Sequence, residues 1–268
     1  LHPRVRRQRQ MCIRDSGARV SGDLRQGEDP RRARLMEYAV DLGNGHSVLQ
    51  DTDGYLFTQD SVVCANLMRA GSRDRLLDLG CGTGIMCVLA LLKKGVKEAV
   101  GLEIDPRAAA LARKNAERCG LSEKMRVVCR NVKGAAEELG RECFDKVVCN
   151  PPYFDFPDGT DGGAAACAKR ENGAVLADFV RTGAECLRFG GDFTLVMRAE
   201  RLCDAVAAFR ACALEPKTVT FVFPRPGAKA GAFVMTARKG AKPGVITDAL
   251  YVCNESGEKT REWEELYR

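Results

Sequence analysis

The sequence has no apolar run approaching the roughly 20 residues that a membrane helix needs, and no apolar stretch behind its N-terminus of the kind a secretory signal carries. It has only two histidines, His2 and His46, and no C-x-x-C pair among its thirteen cysteines. An odd cysteine count at irregular spacing argues against a disulfide framework and against a zinc knuckle. The expectation is a reduced, cytoplasmic protein without a metal, whose cysteines serve mainly as small core hydrophobes. A strong charge of one sign is missing as well. Residues 1–34 hold ten Arg against four acidic residues, which is the whole of the net +6. The other 234 residues hold 32 basic and 32 acidic side chains. The leader shows no periodicity, and Met11-Cys-Ile-Arg-Asp-Ser16 resembles translated adapter sequence. Residues 1–34 are therefore read as an artefactual or disordered leader; the alternative is a basic arm on RNA phosphates.

What remains is an ordinary globular composition, 45% hydrophobic and 29% charged. From residue 74 onward strand and helix alternate. Arg75–Leu79 is a short apolar run ending at glycines, as a buried parallel strand does. Further strands are expected at 99–104, 125–129, 144–149, 192–197, 218–223 and 232–237. Helices are expected at 85–94, 106–119, 135–139, 171–188 and 200–213, with a preceding one at 60–69. Pro106 suits a first helical turn and Gly120 a helix C-cap. This alternation predicts a doubly wound α/β sheet of seven strands, mostly parallel. The last two strands follow one another without a helix, so one of them is expected to be antiparallel. The divisions are the leader (1–34), a preface (35–70), a catalytic domain (71–244) and an acidic C-terminal tail (245–268). Within the domain, 216–244 holds Lys217, Arg225, Lys229, Arg238, Lys239 and Lys242 and no acidic residue. Such a strip is either a phosphate-contacting surface or simply a solvated one.

Two loops carry the chemistry. Asp78-Leu-Gly80-Cys81-Gly82-Thr-Gly84 follows the first strand and opens a helix. Glycines there let a ligand approach the backbone closely. The G-x-G-x-G spacing departs from the dinucleotide fingerprint and disfavours a nicotinamide dehydrogenase. Glu103, nineteen residues after Gly84 at the end of the next strand, can accept both hydroxyls of a ribose. Asp105 can do so too, or can cap the helix that opens at Pro106. Asn131 follows the third strand, and by itself it reads as an ordinary loop residue. The second loop is Asn150-Pro151-Pro152-Tyr153, after the fourth strand. Its prolines lack N–H groups and keep carbonyls exposed. An amide and a carbonyl can then accept both hydrogens of a planar amino group while Tyr153 stacks on the ring that bears it.

The glycine loop resembles the S-adenosylmethionine loop of class I methyltransferases. With Asn150–Tyr153 the chain is similar to the amino-methyltransferases of the (N/D)PP(Y/F) group, and within them to the bacterial tRNA adenine-N6 methyltransferases that act on A37 of valine tRNA. The likeness extends from Leu49 through Phe57-Thr-Gln-Asp60, a segment that lies over the cofactor in that family. It takes in Ala168-Lys-Arg-Glu171, Phe223-Pro-Arg-Pro-Gly227 and Arg238 to Gly244. The resemblance implies a Rossmann-like sheet and methyl transfer from S-adenosylmethionine to the N6 amino group of a tRNA adenine. Asn150, Pro151, Pro152 and Tyr153 would hold the base. Asp78, Gly80, Cys81, Gly82, Gly84, Glu103, Asn131, Phe57 and Asp60 would hold the cofactor. Where Asn131 stands, that family usually has an Asp on the adenine amino group, a contact that the Asn carbonyl could also make. Lys169, Arg170, Arg225, Lys229, Lys239 and Lys242 would guide RNA phosphates. The rivals are a glutamine methyltransferase of release factors, a guanine-N2 methyltransferase of ribosomal RNA and a non-catalytic RNA-binding paralogue.

Overall fold

In the computed structural model, which describes residues 37–51, 56–151 and 176–267, the chain opens with a hairpin of β1 (Glu37–Gly43) and β2 (His46–Asp51). Its turn is Gly43-Asn44-Gly45, and Asn-Gly is a strong hairpin signal. Helix α1 (Gln59–Leu67) follows. The alternating part then runs β3 (Arg75–Leu79), α2 (Ile85–Leu89), β4 (Glu98–Glu103), α3 (Pro106–Arg118), β5 (Met125–Cys129), α4 (Ala136–Leu139) and β6 (Phe144–Cys149). After it come α5 (Leu176–Cys186), β7 (Leu187–Arg198), α6 (Leu202–Ala211), β8 (Leu214–Phe223), β9 (Ala232–Lys239), β10 (Ile246–Tyr251) and α7 (Arg261–Glu265). Helix α2 continues as a wider π turn over Ala90–Lys94.

Among the described residues, eight strands form one sheet in the order β10-β8-β9-β7-β6-β3-β4-β5. Every neighbouring pair is parallel except the two that β9 makes with β7 and β8. The seven expected strands are present, and β9 is the antiparallel one. The eighth, β10, lies at the edge beside β8. Only Leu250 of its six residues is buried, so it shows none of the alternation that marks a half-buried strand. Several expected ends also shift, among them those of α5 and β8. Helix α5 stops at Cys186 because Leu187 already pairs with Phe144, and β8 starts at Leu214, four residues earlier than expected.

The central strands are mostly apolar because both faces are covered. Leu76, Val148, Val196 and Val234 face one cluster, with Val62, Ile85, Ala112 and the hairpin's Val48. Leu77, Val147, Leu195 and Phe233 face the other, with Leu139, Val180, Ala205 and Phe209. Burial of this kind is worth about 25 cal/mol per Å² of apolar surface. Trp263 of α7 is buried in the first cluster, and Lys93 Nζ donates to the Leu266 carbonyl at 2.9 Å. Residues 246–266 are thereby fastened to the sheet and to the end of α2.

Candidate active site

The chain leaves β3 toward β4 and β5 on one side and returns to β6 on the other, so the strand order reverses beside β3. Ligands of open α/β sheets bind outside the strand C-termini at that reversal. The glycine loop follows β3, Glu103 ends β4, Asn131 follows β5 and Asn150 follows β6, so all four stand on this edge.

The loop is drawn tightly over β4. Gly80 and Cys81 donate their N–H groups to the Leu102 carbonyl at 2.8 and 3.0 Å, and Gly82 N donates to Glu103 Oε2 at 2.8 Å. Gly80, Gly82 and Gly84 all have positive φ (74°, 54° and 80°). At Gly84 a side chain is excluded by packing as well: a Cβ would come within 2.6 Å of Met125 Cε and 3.2 Å of Ala112 Cβ. Glu103 Oε1 accepts from Asp105 N at 3.0 Å. Each carboxylate oxygen therefore holds one backbone N–H and keeps further lone-pair capacity, which suits a pair of hydroxyls. Asp105 caps α3, accepting from Arg107 N at 2.8 Å and Ala108 N at 3.4 Å, one of the two roles open to it. Asn131 Oδ1 accepts from Lys133 N at 2.9 Å, which is a local turn and leaves one lone pair of that oxygen.

Asp78 is fully buried under the loop. Burial pushes its carboxyl up to about 8, reinforced by the Glu103 charge and opposed by the hydrogen bond from the Cys87 thiol, 3.7 Å from Oδ2. It holds a proton at neutral pH, and its Oδ1 has no partner among the described residues. Burial first, and then the neighbouring carboxyls, push the thiols of Cys81 and Cys87 well up, so both stay neutral. They act as small packing groups rather than nucleophiles.

Asn150 Nδ2 donates to Ser61 Oγ at 2.9 Å and lies 3.4 Å from Thr58 Oγ1. Its Oδ1 is buried without a partner among the described residues, and Pro151 beside it is buried. Phe57 and Asp60 are the chain neighbours of Thr58 and Ser61, whose hydroxyls meet the Asn150 amide. Phe57 N donates to Gln50 Oε1 at 3.0 Å, and its ring packs on the first core cluster. Pro152, Tyr153, Lys169 and Arg170 lie outside the described residues.

The basic residues do not form one surface. Arg225 and Lys229 are exposed in the β8–β9 loop, on the same edge as Asn150. Lys239 and Lys242 follow the antiparallel β9 down to the opposite edge, where Lys239 pairs with Leu214 at the start of β8. Lys239, expected to guide RNA, is engaged within the fold: Nζ donates to the Ala184 and Leu187 carbonyls at 2.8 Å each and to Glu142 at 3.0 Å. Lys242 is exposed, but far from the site edge for the same topological reason.

Two residues of the site escape a motif reading. Asn115 on α3 is fully buried and donates to the Thr83 carbonyl at 2.9 Å, steadying the glycine loop from below. Its signal is a polar residue in register with Ala108, Leu111 and Ala112 on the helix's apolar face. Ser61 shows no signal of its own. Among the described residues there is no cluster of His, Cys, Asp or Glu able to hold a metal, and no helix long and apolar enough to cross a membrane.

The methyltransferase small domain family matches residues 59–222, more than half of the chain. A tRNA1(Val) (adenine(37)-N6)-methyltransferase of Bacteroides fragilis is 27% identical over 173 residues, 63% of this chain and 71% of its own. A ribosomal protein L11 methyltransferase of Lachnospira eligens is 35% identical over 116 residues. That match spans 40% of this chain and only 36% of the relative's length. Among solved structures, a predicted O-methyltransferase from Agrobacterium tumefaciens superposes with a TM-score of 0.64 at 24% identity. The superposition covers 78% of this chain and 95% of that one. At that identity the likeness is one of fold.

Proposed function

The chain belongs to the methyltransferase small domain family, and from that premise we propose that it transfers the methyl group of S-adenosylmethionine to the N6 amino group of an adenine in tRNA, A37 of the valine anticodon loop. The observation that carries the reading is Asn150 Oδ1, a buried acceptor with no donor among the described residues at the C-terminal end of β6. A buried polar atom without a partner is costly. A planar amino group entering there would satisfy it.

In this reading Asn150 Oδ1 and the Pro151 carbonyl each accept one hydrogen of the amino group. That draws the nitrogen lone pair out of the ring system and aims it across the glycine loop. Orientation is the main contribution, since no strong base is needed against a charged methyl donor. Tyr153 stacks on the base and Pro152 keeps the segment extended. A loop base is cheaper to present than one in a duplex. S-adenosylmethionine, when bound, supplies an electrophilic methyl on a sulfonium. The donor set fits it: Glu103 holds the ribose, and Gly80, Cys81, Gly82 and Gly84 leave the backbone open to it. Asp78 supports the loop as a neutral acid, Asn131 meets the adenine, and Phe57 and Asp60 close the methionine end from the 35–70 preface. Arg225 and Lys229, with Lys169 and Arg170, contact tRNA phosphates. A substrate of this class places the enzyme in the cytoplasm.

The name of the Bacteroides relative supports the tRNA reading. That of the Lachnospira relative favours a second one, a ribosomal protein as acceptor, and the test separates them. The full chain is given labelled S-adenosylmethionine with unmodified tRNA, ribosomal RNA, ribosomal protein L11 or release factor, followed by nucleoside mass analysis. N6-methyladenosine in tRNA, lost in Asn150→Ala, is the expected result. Label on protein or ribosomal RNA alone would overturn the substrate and keep the chemistry.

A further inference from the structure

Thr58 occupies the N-cap of α1, where a threonine hydroxyl ordinarily accepts from the backbone N–H two or three residues on. It makes no such bond. Ser61 N donates instead to the Thr58 carbonyl at 3.2 Å. The Thr58 hydroxyl is turned to Asn150 Nδ2 at 3.4 Å, and Ser61 Oγ lies 2.9 Å from the same nitrogen. Ser61 is 7% exposed, so its hydroxyl answers to the protein and not to solvent. A helix cap forgone at a site edge is the kind of local departure expected where function sets the geometry.

We propose that Thr58 and Ser61 are positioning residues that hold the Asn150 amide in place through Nδ2, so that Oδ1 stays toward the acceptor amine. The proposal rests on the amino-methyltransferase reading above and adds what enforces it. An amide turned by half a rotation exchanges acceptor for donor, and its N–H groups would then confront those of the incoming amine. The two hydroxyls can donate as well as accept, so what disfavours the turned amide within the fold is burial: among the described residues it would leave two unanswered N–H donors in place of one unanswered oxygen. Neither hydroxyl touches the substrate in this scheme; both act through Asn150.

The test uses Ser61→Ala, Thr58→Val and the double variant in the full chain, with Ser61→Thr as the conservative control. Thr58 makes no cap bond, so Thr58→Val removes none from α1. Four quantities are read. They are kcat and KM for the methyl acceptor, affinity for S-adenosylmethionine, melting temperature, and hydrogen exchange of the Asn150 side-chain amide by nitrogen-15 NMR, assigned by its loss in Asn150→Asp. The double variant is expected to lose about tenfold in kcat, the loss of one buried hydrogen bond at the reacting group. KM and cofactor affinity should stay within about twofold, and amide exchange should quicken at least about tenfold. Ser61→Thr should restore both. Unchanged kcat, unchanged exchange, or a fall in kcat matched by falls in cofactor affinity and melting temperature would each overturn the proposal. If the wild-type chain methylates no RNA, the substrate reading fails alone, and the exchange measurement still decides whether the hydroxyls hold the amide.

Discussion

Asn115 treats Leu49 as a neighbouring strand would: Oδ1 accepts the Leu49 N–H at 2.6 Å and Nδ2 donates to the Leu49 carbonyl at 3.0 Å. One side chain on α3 thus completes a stretch of β2, and its remaining amide hydrogen goes to the Thr83 carbonyl. The hairpin, the helix and the glycine loop are joined at a single fully buried residue.

Replacing it with an apolar residue of similar size therefore leaves three backbone groups unanswered. Asn115→Leu is expected to cost about 3 kcal/mol or more, a large share of the roughly 5–15 kcal/mol that holds a domain folded. Chemical denaturation measures the loss. Amide exchange at Leu49 should rise more than exchange in β6, because the hairpin is released first. Equal loosening of the two would sink the idea that Asn115 is the hairpin's anchor.

Asp78 makes stability depend on pH in the direction opposite to most carboxylates. Burial, with the Glu103 charge, lifts its carboxyl from 3.8 to about 8. Between those values the folded chain keeps a proton that the unfolded chain has released, so stability falls as pH rises through that window and this contribution levels off above it. The slope is about 1.4 kcal/mol per pH unit at most. Asp78→Asn stays neutral throughout, so it should melt close to the wild type near pH 4 to 5 and several degrees higher by pH 8. Parallel melting curves across that range would count against a protonated Asp78.

Lys239 and the Arg225–Lys229 pair should separate stability from RNA binding. Lys239→Met removes the donor to two buried-side carbonyls and is expected to cost about 1–2 kcal/mol of stability, with the affinity for tRNA unchanged. The double variant Arg225→Ala/Lys229→Ala should leave the melting temperature alone, weaken tRNA binding several-fold and reduce the salt slope of log K by about 1–2. Binding titrations at three salt concentrations distinguish the two outcomes. A tRNA defect in Lys239→Met would mean that the far edge also meets RNA.

The parts of this fold that could be read beforehand are those where one physical demand acts alone. β3, β4 and β6 are buried on both faces, so their apolar runs announce them. Asp105 before Pro106 marks a helix start by chemistry that needs no partner. β10 could not be read this way, since it is held by the β8 backbone rather than by a buried face. The hairpin is missed by such a reading: despite its Gly-Asn-Gly turn it lacks a strongly apolar face, its β1 alternating only between exposed and half-buried. In the site, residue types at the ends of strands pointed to one edge of the sheet, and Gly80, Glu103 and Asn150 do lie there. Ser61 and Asn115 act across 89 and 66 residues of chain, and a contact of that span has no local imprint. The basic run over 216–244 reads along the chain as one strip, whereas β9 carries its two ends to opposite edges.

The placing of β9 also has a consequence for how the chain is made. Among the described residues strand β8 pairs only with β9 and β10, and both come after it. While the ribosome proceeds from Phe223 to Lys239, a ten-residue strand ending Val219-Thr-Phe-Val-Phe223 has no partner to take its backbone. At ordinary rates of synthesis that interval lasts about one to three seconds. A message truncated within it would leave this strand permanently open to other chains, so the nascent polypeptide is most exposed to aggregation shortly before the sheet is closed.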